Sequence, residues 1–228
     1  MNDKTKARLW VLVYFLLLFI PLIILFIAPR PSGREFWREF AVGLGFAGLS
    51  LIGMQFLIPA RIPFITSVFR LRKLNDIHHN LSLVGFALIA LHAAILLLNN
   101  PRLIRSLFSI VAAWPTWAGV ISLLFMIIII IASVWQSEIN ISHQPWRLKH
   151  LFLSVVGIAL ALAHIFGVNY YMSIMANRVI WILLAILWAC GAVVYAWKSN
   201  MGRAVDSVAQ EISAARDRRN AKKEANNK

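Results

Sequence analysis

The sequence predicts an all-α integral membrane protein: a six-transmembrane-helix bundle with both termini in the cytoplasm. Three observations predict it. Of the 228 residues, 60% are hydrophobic, more than a soluble domain carries. Several apolar runs reach the roughly 20 residues that a helix needs to cross a bilayer, and a polar backbone crosses lipid only as a helix or a closed barrel. Lys and Arg gather in short segments between those runs and in the C-terminal tail, the pattern that membrane topology imposes.

Six segments are expected to span: Leu9 to Ala28, Phe36 to Pro59, Ile77 to Leu98, Trp114 to Trp135, Lys149 to Tyr170 and Arg178 to Trp197. The first follows "KTKAR" and has no A-x-A cleavage pattern after it, so it is expected to stay as an anchor. Trp37, Trp114, Trp117, Trp135, Trp146 and Trp197 fall near proposed ends, where interfacial aromatics belong. With the N-terminus inside, the inner side collects 17 Lys and Arg and the outer side 6. Without the tail the count is nine against six, so the tail carries much of the orientation.

After Trp197 the composition changes, dividing the chain into a membrane domain, residues 1–198, and a basic tail, residues 199–228. Met201, Val205, Val208, Ile212 and Ala215 recur there at helical spacing, as in an amphipathic helix lying on the inner leaflet or docking a partner. A solvated basic tail with a disordered end fits the composition equally. The net charge of +14 is read as membrane topology and lipid head groups, not nucleic acid. Cys190, the only cysteine, lies in an apolar segment and builds neither a disulfide framework nor a thiolate site within the chain.

The third segment holds "HHNLSLVGFALIALH" and the fifth "HLFLSVVGIALALAH". Each reads His, six residues, Gly, six residues, His, and the two copies are offset by 72 residues throughout. Fourteen residues turn a helix to within about 40° of its starting direction and raise it roughly 21 Å. His78 and His92 therefore share a face with Gly85, and His150 and His164 with Gly157. The third and fifth spans run in the same direction, which pairs His78 with His150 on the inner side and His92 with His164 on the outer side. Facing neutral imidazoles suit axial ligation of six-coordinate haem iron, and the glycines leave room for a flat macrocycle or a close helix contact. Two irons about 20 Å apart would carry an electron between leaflets.

His79 lies well off the shared face, which makes it the second choice for the place of His78 and places it nearer a propionate or solvent. His143, before Pro145, is read as inner loop without a ligand role. Arg72 and Arg147 flank the inner pair, and Arg38 and Arg102 approach the outer one, as contacts for anionic propionates or, on the inner side, as topology bases alone. All nine acids fall outside or at the ends of the spans. A proton-coupled carrier would keep one near mid-membrane. A permease binding a transition metal at the histidines and a scaffold whose histidines only bond across helices remain the alternatives. The sequence holds no P-loop and no Gly-rich dinucleotide turn.

The stretches "LNDIHHNLSLVGFALIALH" and "WRLKHLFLSVVGIALALAH" resemble the third and fifth helices of the ferric reductase-like transmembrane domain. That family is shared by ferric reductases, NADPH oxidases and the haem subunit of bacterial methionine sulfoxide reductase systems. The resemblance covers nearly the whole chain up to about Trp197. It implies two haems b between the third and fifth helices, with His78, His92, His150 and His164 as ligands and His79 standing where the family has Arg. Many relatives continue into an FAD- and NAD(P)H-binding module, whereas this sequence ends in its basic tail. The resemblance then implies a haem subunit of a plasma membrane, the bacterial inner membrane. It would take electrons from a separate flavoprotein or quinol and pass them to ferric iron, oxygen or a protein on the outer side.

Overall fold

Apolar segments that cannot bond to water close their backbone hydrogen bonds internally, and the described elements of this chain are all helical. The computed structural model describes residues 2–27, 35–100, 104, 114–135, 138 and 143–226. Helix α1 runs Asp3–Ile27, α2 Phe36–Met54, the single turn α3 Pro63–Thr66 and α4 Leu71–Asn99. These are followed by α5 (Trp114–Val134), α6 (His143–Val168), a short 3-10 turn (Tyr171–Ser173) and α7 (Met175–Asn226).

Five of these helices are long and apolar enough to cross a membrane: α1, α4, α5, α6 and the Met175–Asn200 part of α7. The sixth expected span, α2, falls outside this group. It is 19 residues long, its first turn carries Arg38 and Glu39, and its apolar face is broken by Gly43, Gly45, Gly48, Ser50 and Gly53. Its regular helix ends at Met54 and not at Pro59, passing into turns through Arg61.

Other boundaries depart from the hydrophobic limits for a physical reason. Apolarity measures membrane thickness, whereas a helix ends only where a cap or proline stops it. So α4 starts at Leu71, before the apolar run, and α6 starts at His143, with Pro145 in its first turn where a missing N–H costs nothing. His143 is therefore helical and not part of a loop. Across residue 198, where the composition changes, the helix is continuous. Residues 199–226 contain no proline and only Gly202, and α7 continues unbroken to Asn226.

Although it falls outside the apolar group, α2 is the most enclosed of the long helices. Ala41, Phe46, Gly48, Leu49, Ser50, Leu51, Gly53 and Met54 are buried. On one side α1 covers it, where the Ser50 hydroxyl donates to the Leu18 carbonyl at 3.0 Å and Gln55 Nε2 donates to the Tyr14 hydroxyl at 2.9 Å. On another, Trp181 and Trp188 of α7 are 0% and 1% exposed, and the Trp188 indole lies where a side chain on Gly53 would stand. The outward faces carry exposed Leu12, Phe15, Phe26, Phe152, Ile182 and Val193, as lipid contact requires.

Near the start of α2, the Tyr171 hydroxyl donates to Glu39 Oε1 at 2.7 Å. At the opposite end of the bundle, Lys198 Nζ donates to the carbonyls of Ala60 and Arg61, at 3.0 and 2.8 Å. Arg61 has φ of 48°, a left-handed conformation that disfavours a side chain, and the ammonium fastens that turn to α7.

Overpacking gives a direct test of the α2–α7 contact. Gly53→Val drives a side chain into Trp188 and should cost about 1–3 kcal/mol, seen as a lower Tm in detergent. Gly43→Ala, whose Cβ meets nothing within 4 Å, should not lower Tm and should raise it slightly, since alanine favours the helix.

Candidate functional site

The site is built from two antiparallel hairpins, α2 with α4 and α5 with α6, which pack along most of their length. In the first, His92 Nδ1 lies 2.8 Å from the Ala41 carbonyl. In the second, His164 Nδ1 lies 2.7 Å from the Pro115 carbonyl. A carbonyl only accepts, so both Nδ1 atoms donate, and each neutral ring is left with a bare Nε2 lone pair.

Within a helix the carbonyl of residue i already accepts the amide of residue i+4. An imidazole shares that carbonyl by lying across residue i+4, which must then be small. That residue is Gly45 in α2 and Gly119 in α5. A Cβ on either would stand 2.8 Å from the imidazole Nδ1. The two hairpins thus repeat one device, offset by 72 residues at the histidines and 74 at the backing helices.

Seven residues along, the device becomes helix packing. A Cβ on Gly48 would meet the Gly85 carbonyl at 2.8 Å, and one on Gly85 would meet Ile52 at 2.9 Å. Gly85 therefore makes the close helix contact, one of the two expectations for it, and does not border the cavity described next. At the same step of the second hairpin, the Ser122 hydroxyl donates to the Gly157 carbonyl at 2.7 Å. Gly157 is buried and lines that cavity.

At the other end of α4 and α6 the hairpins part around a cavity of about 390 Å³, within the range of small-molecule and cofactor sites. His78 and His150 face each other across it, ring centroids 6.2 Å apart and planes at 67°. Trp146 packs on His150 at 5.6 Å. The Nδ1 atoms of His78 and His150, Gln55 Oε1 and Ser133 Oγ are buried without a hydrogen-bond partner, and all four residues line the cavity. Such unspent polar capacity is costly in an apolar interior. It marks a place built for an occupant.

His79 lines the same cavity from an exposed position beside His78. Arg147 lines it too. Its Nε donates to the Tyr195 hydroxyl at 2.9 Å, and its guanidinium lies 5.5 Å from that ring's centroid. Arg61, Asn75 and Tyr195, none singled out from sequence, complete a mouth with no acid among its lining residues. Arg72 is exposed and does not border the cavity. Arg38 is exposed in the first turn of α2, and Arg102 lies outside the described residues.

A planar group holding a metal fits this frame. Two metal–imidazole bonds of about 2 Å, with the ring radii, put trans imidazole centroids roughly 6 Å apart, and His78 and His150 stand at that spacing. His92 and His164, held through Nδ1, each keep Nε2 for another partner. Among the described residues no three His, Cys, Asp or Glu side chains converge, so a metal-bearing group at either end would be held by two imidazoles. Gly45 and Gly119 were missed in the sequence. Their signal was a second repeat, Ala41–Gly45–Gly48 against Pro115–Gly119–Ser122, without histidine to draw attention to it.

A family described as ferric reductase like transmembrane component matches residues 44–162, just over half the chain. No curated protein and no solved structure matches.

The role of the two glycines is open to measurement in protein carrying 15N-labelled histidine. Wild-type His92 and His164 should show the tautomer protonated at Nδ1. Gly45→Val should abolish that signature at His92 alone, and Gly119→Val at His164 alone. Spectra unaltered by either change would mean that the glycine does not admit the ring.

Proposed function

Because the chain belongs to the ferric reductase like transmembrane component family, a multi-pass membrane protein acting as a transmembrane electron-transfer component, we propose that it is a di-haem b-type cytochrome. His78 and His150 would hold the inner haem, and His92 and His164 the outer one. Electrons enter on the cytoplasmic side from a flavoprotein or quinol and leave to ferric iron, oxygen or a protein on the outer side. The observation that carries this reading is the pair of facing imidazoles 6.2 Å apart in a cavity whose polar atoms lack partners. A second imidazole pair lies about 21 Å of helix away.

When bound, haem supplies a one-electron couple that needs no proton at mid-membrane. The chain's own groups do the rest. The Ala41 and Pro115 carbonyls fix the His92 and His164 rings and raise their donor strength by accepting Nδ1–H. Aliphatic cavity residues such as Ile129, Ile130 and Ile158 keep water out and the surround apolar. At the mouth, Arg147, Arg61 and the Tyr195 O–H face the place where carboxylates of a bound haem would enter. Positive-inside bias supports both termini in the cytoplasm, with α2 as a sixth crossing sheathed by α1, α4 and α7. The family and the apolar helices support a bacterial inner or plasma membrane site.

A visible spectrum of the purified protein tests the reading. Two haems per chain with reduced α and Soret bands are expected. His92→Ala and His164→Ala should each remove one and the same haem, and His78→Ala and His150→Ala the other. A colourless protein after expression with ample haem would overturn it.

A further inference from the structure

The two ends of the bundle differ in one residue type. At the His164 end, the ring crosses Gly119 to reach the Pro115 carbonyl. Ser122 and Gly157 mark the next step of the same register, and one step further brings Ile129 opposite His150. The residue that the His150 ring must then cross is Ser133. A side chain stands there in place of glycine, so the ring is held off the helix. Both consequences are present: His150 Nδ1 is buried without a partner, and Ser133 Oγ is buried without a partner, in the same cavity.

Resting on the di-haem reading, we infer that Ser133 is a positioning residue for the inner haem ligand: its hydroxyl oxygen accepts Nδ1–H of His150 when haem is bound. Its own O–H then turns one helical turn back to the Ile129 carbonyl, the local bond that serine makes within helices. A hydroxyl is thereby inserted into the bond that Pro115 makes directly. This lets the second hairpin stand further from its partner around the cavity while still supplying an acceptor. In the first hairpin the corresponding position is Pro59, past the end of α2 and without a hydroxyl, and there the His78 ring faces the Gln55 backbone instead.

An acceptor on Nδ1–H makes imidazole a stronger donor and favours oxidised iron. Spectroelectrochemical titration of the haem-loaded full chain in detergent should therefore show Ser133→Ala raising the midpoint of one haem, the one that His150→Ala removes. The other haem should not move, and Ser133→Thr, which keeps the hydroxyl, should hold the wild-type value. Loss of that haem in Ser133→Ala with retention in Ser133→Thr also supports the assignment. An unmoved midpoint, an equal shift of both haems, an equal shift in both variants, or loss of the haem in both variants overturns it. A chain that binds no haem overturns the di-haem reading itself, whereas two haems with an unmoved midpoint overturn this inference alone.

Discussion

An imidazole in an apolar interior must give its N–H to something, and in these helices the acceptor is a backbone carbonyl that already serves a helical bond. Sharing it requires the ring to lie flat across the next turn, which requires glycine there. From this follow the close approach of α2 to α4 and of α5 to α6, the orientation of His92 and His164, and the nitrogen that each leaves free. Each bond is worth only about 0.5–1.5 kcal/mol net. Its larger effect is to exclude other ring positions, since an unpaired N–H there would cost more than the bond gains.

Of the two backing helices, α2 carries more glycine and is the one outside the apolar group. A helix that presents glycines to one neighbour and a serine to another is a poor lipid-facing helix, so α2 is surrounded by protein. On its other sides Ser50 and Gln55 find partners in α1, and Gly53 receives the Trp188 indole. Enclosure explains why the one long helix outside the apolar group is also the most buried. The outer helices α1 and α7, in turn, carry the exposed apolar side chains that a membrane solvates.

The histidine positions were legible in the sequence because a matched 14-residue spacing in two apolar runs, offset by 72 residues, has few other meanings. The acceptors were not, since Ala41 and Pro115 act through backbone atoms and any residue has a carbonyl. Gly85 shows the limit from the other side. Face and spacing were read from the helix alone, but what fills the space beside a glycine depends on the neighbour, and here that neighbour is Gly48 and Ile52. The expected spans mark where the chain is apolar, and the helices run past them where hydrophobicity and hydrogen bonding part company, at the early starts of α4 and α6 and in the continuation of α7. The residues of the cavity mouth were hidden for a similar reason. Tyr195 and Lys198 lie far along the chain from the groups they hold, Arg147 and Arg61.

That mouth ties the histidine cavity to the longest helix. Tyr195 and Lys198 are three residues apart, so they lie on one side of α7, and each engages the segment that presents a cavity cation. Tyr195 holds the Arg147 guanidinium at its ring and hydroxyl, and Lys198 holds the strained turn that carries Arg61. The same helix runs on to Asn226 without a proline to uncouple the two parts. The cationic mouth therefore depends on the lie of α7 as much as on α2 and α6, and the basic tail is mechanically continuous with the wall of the site.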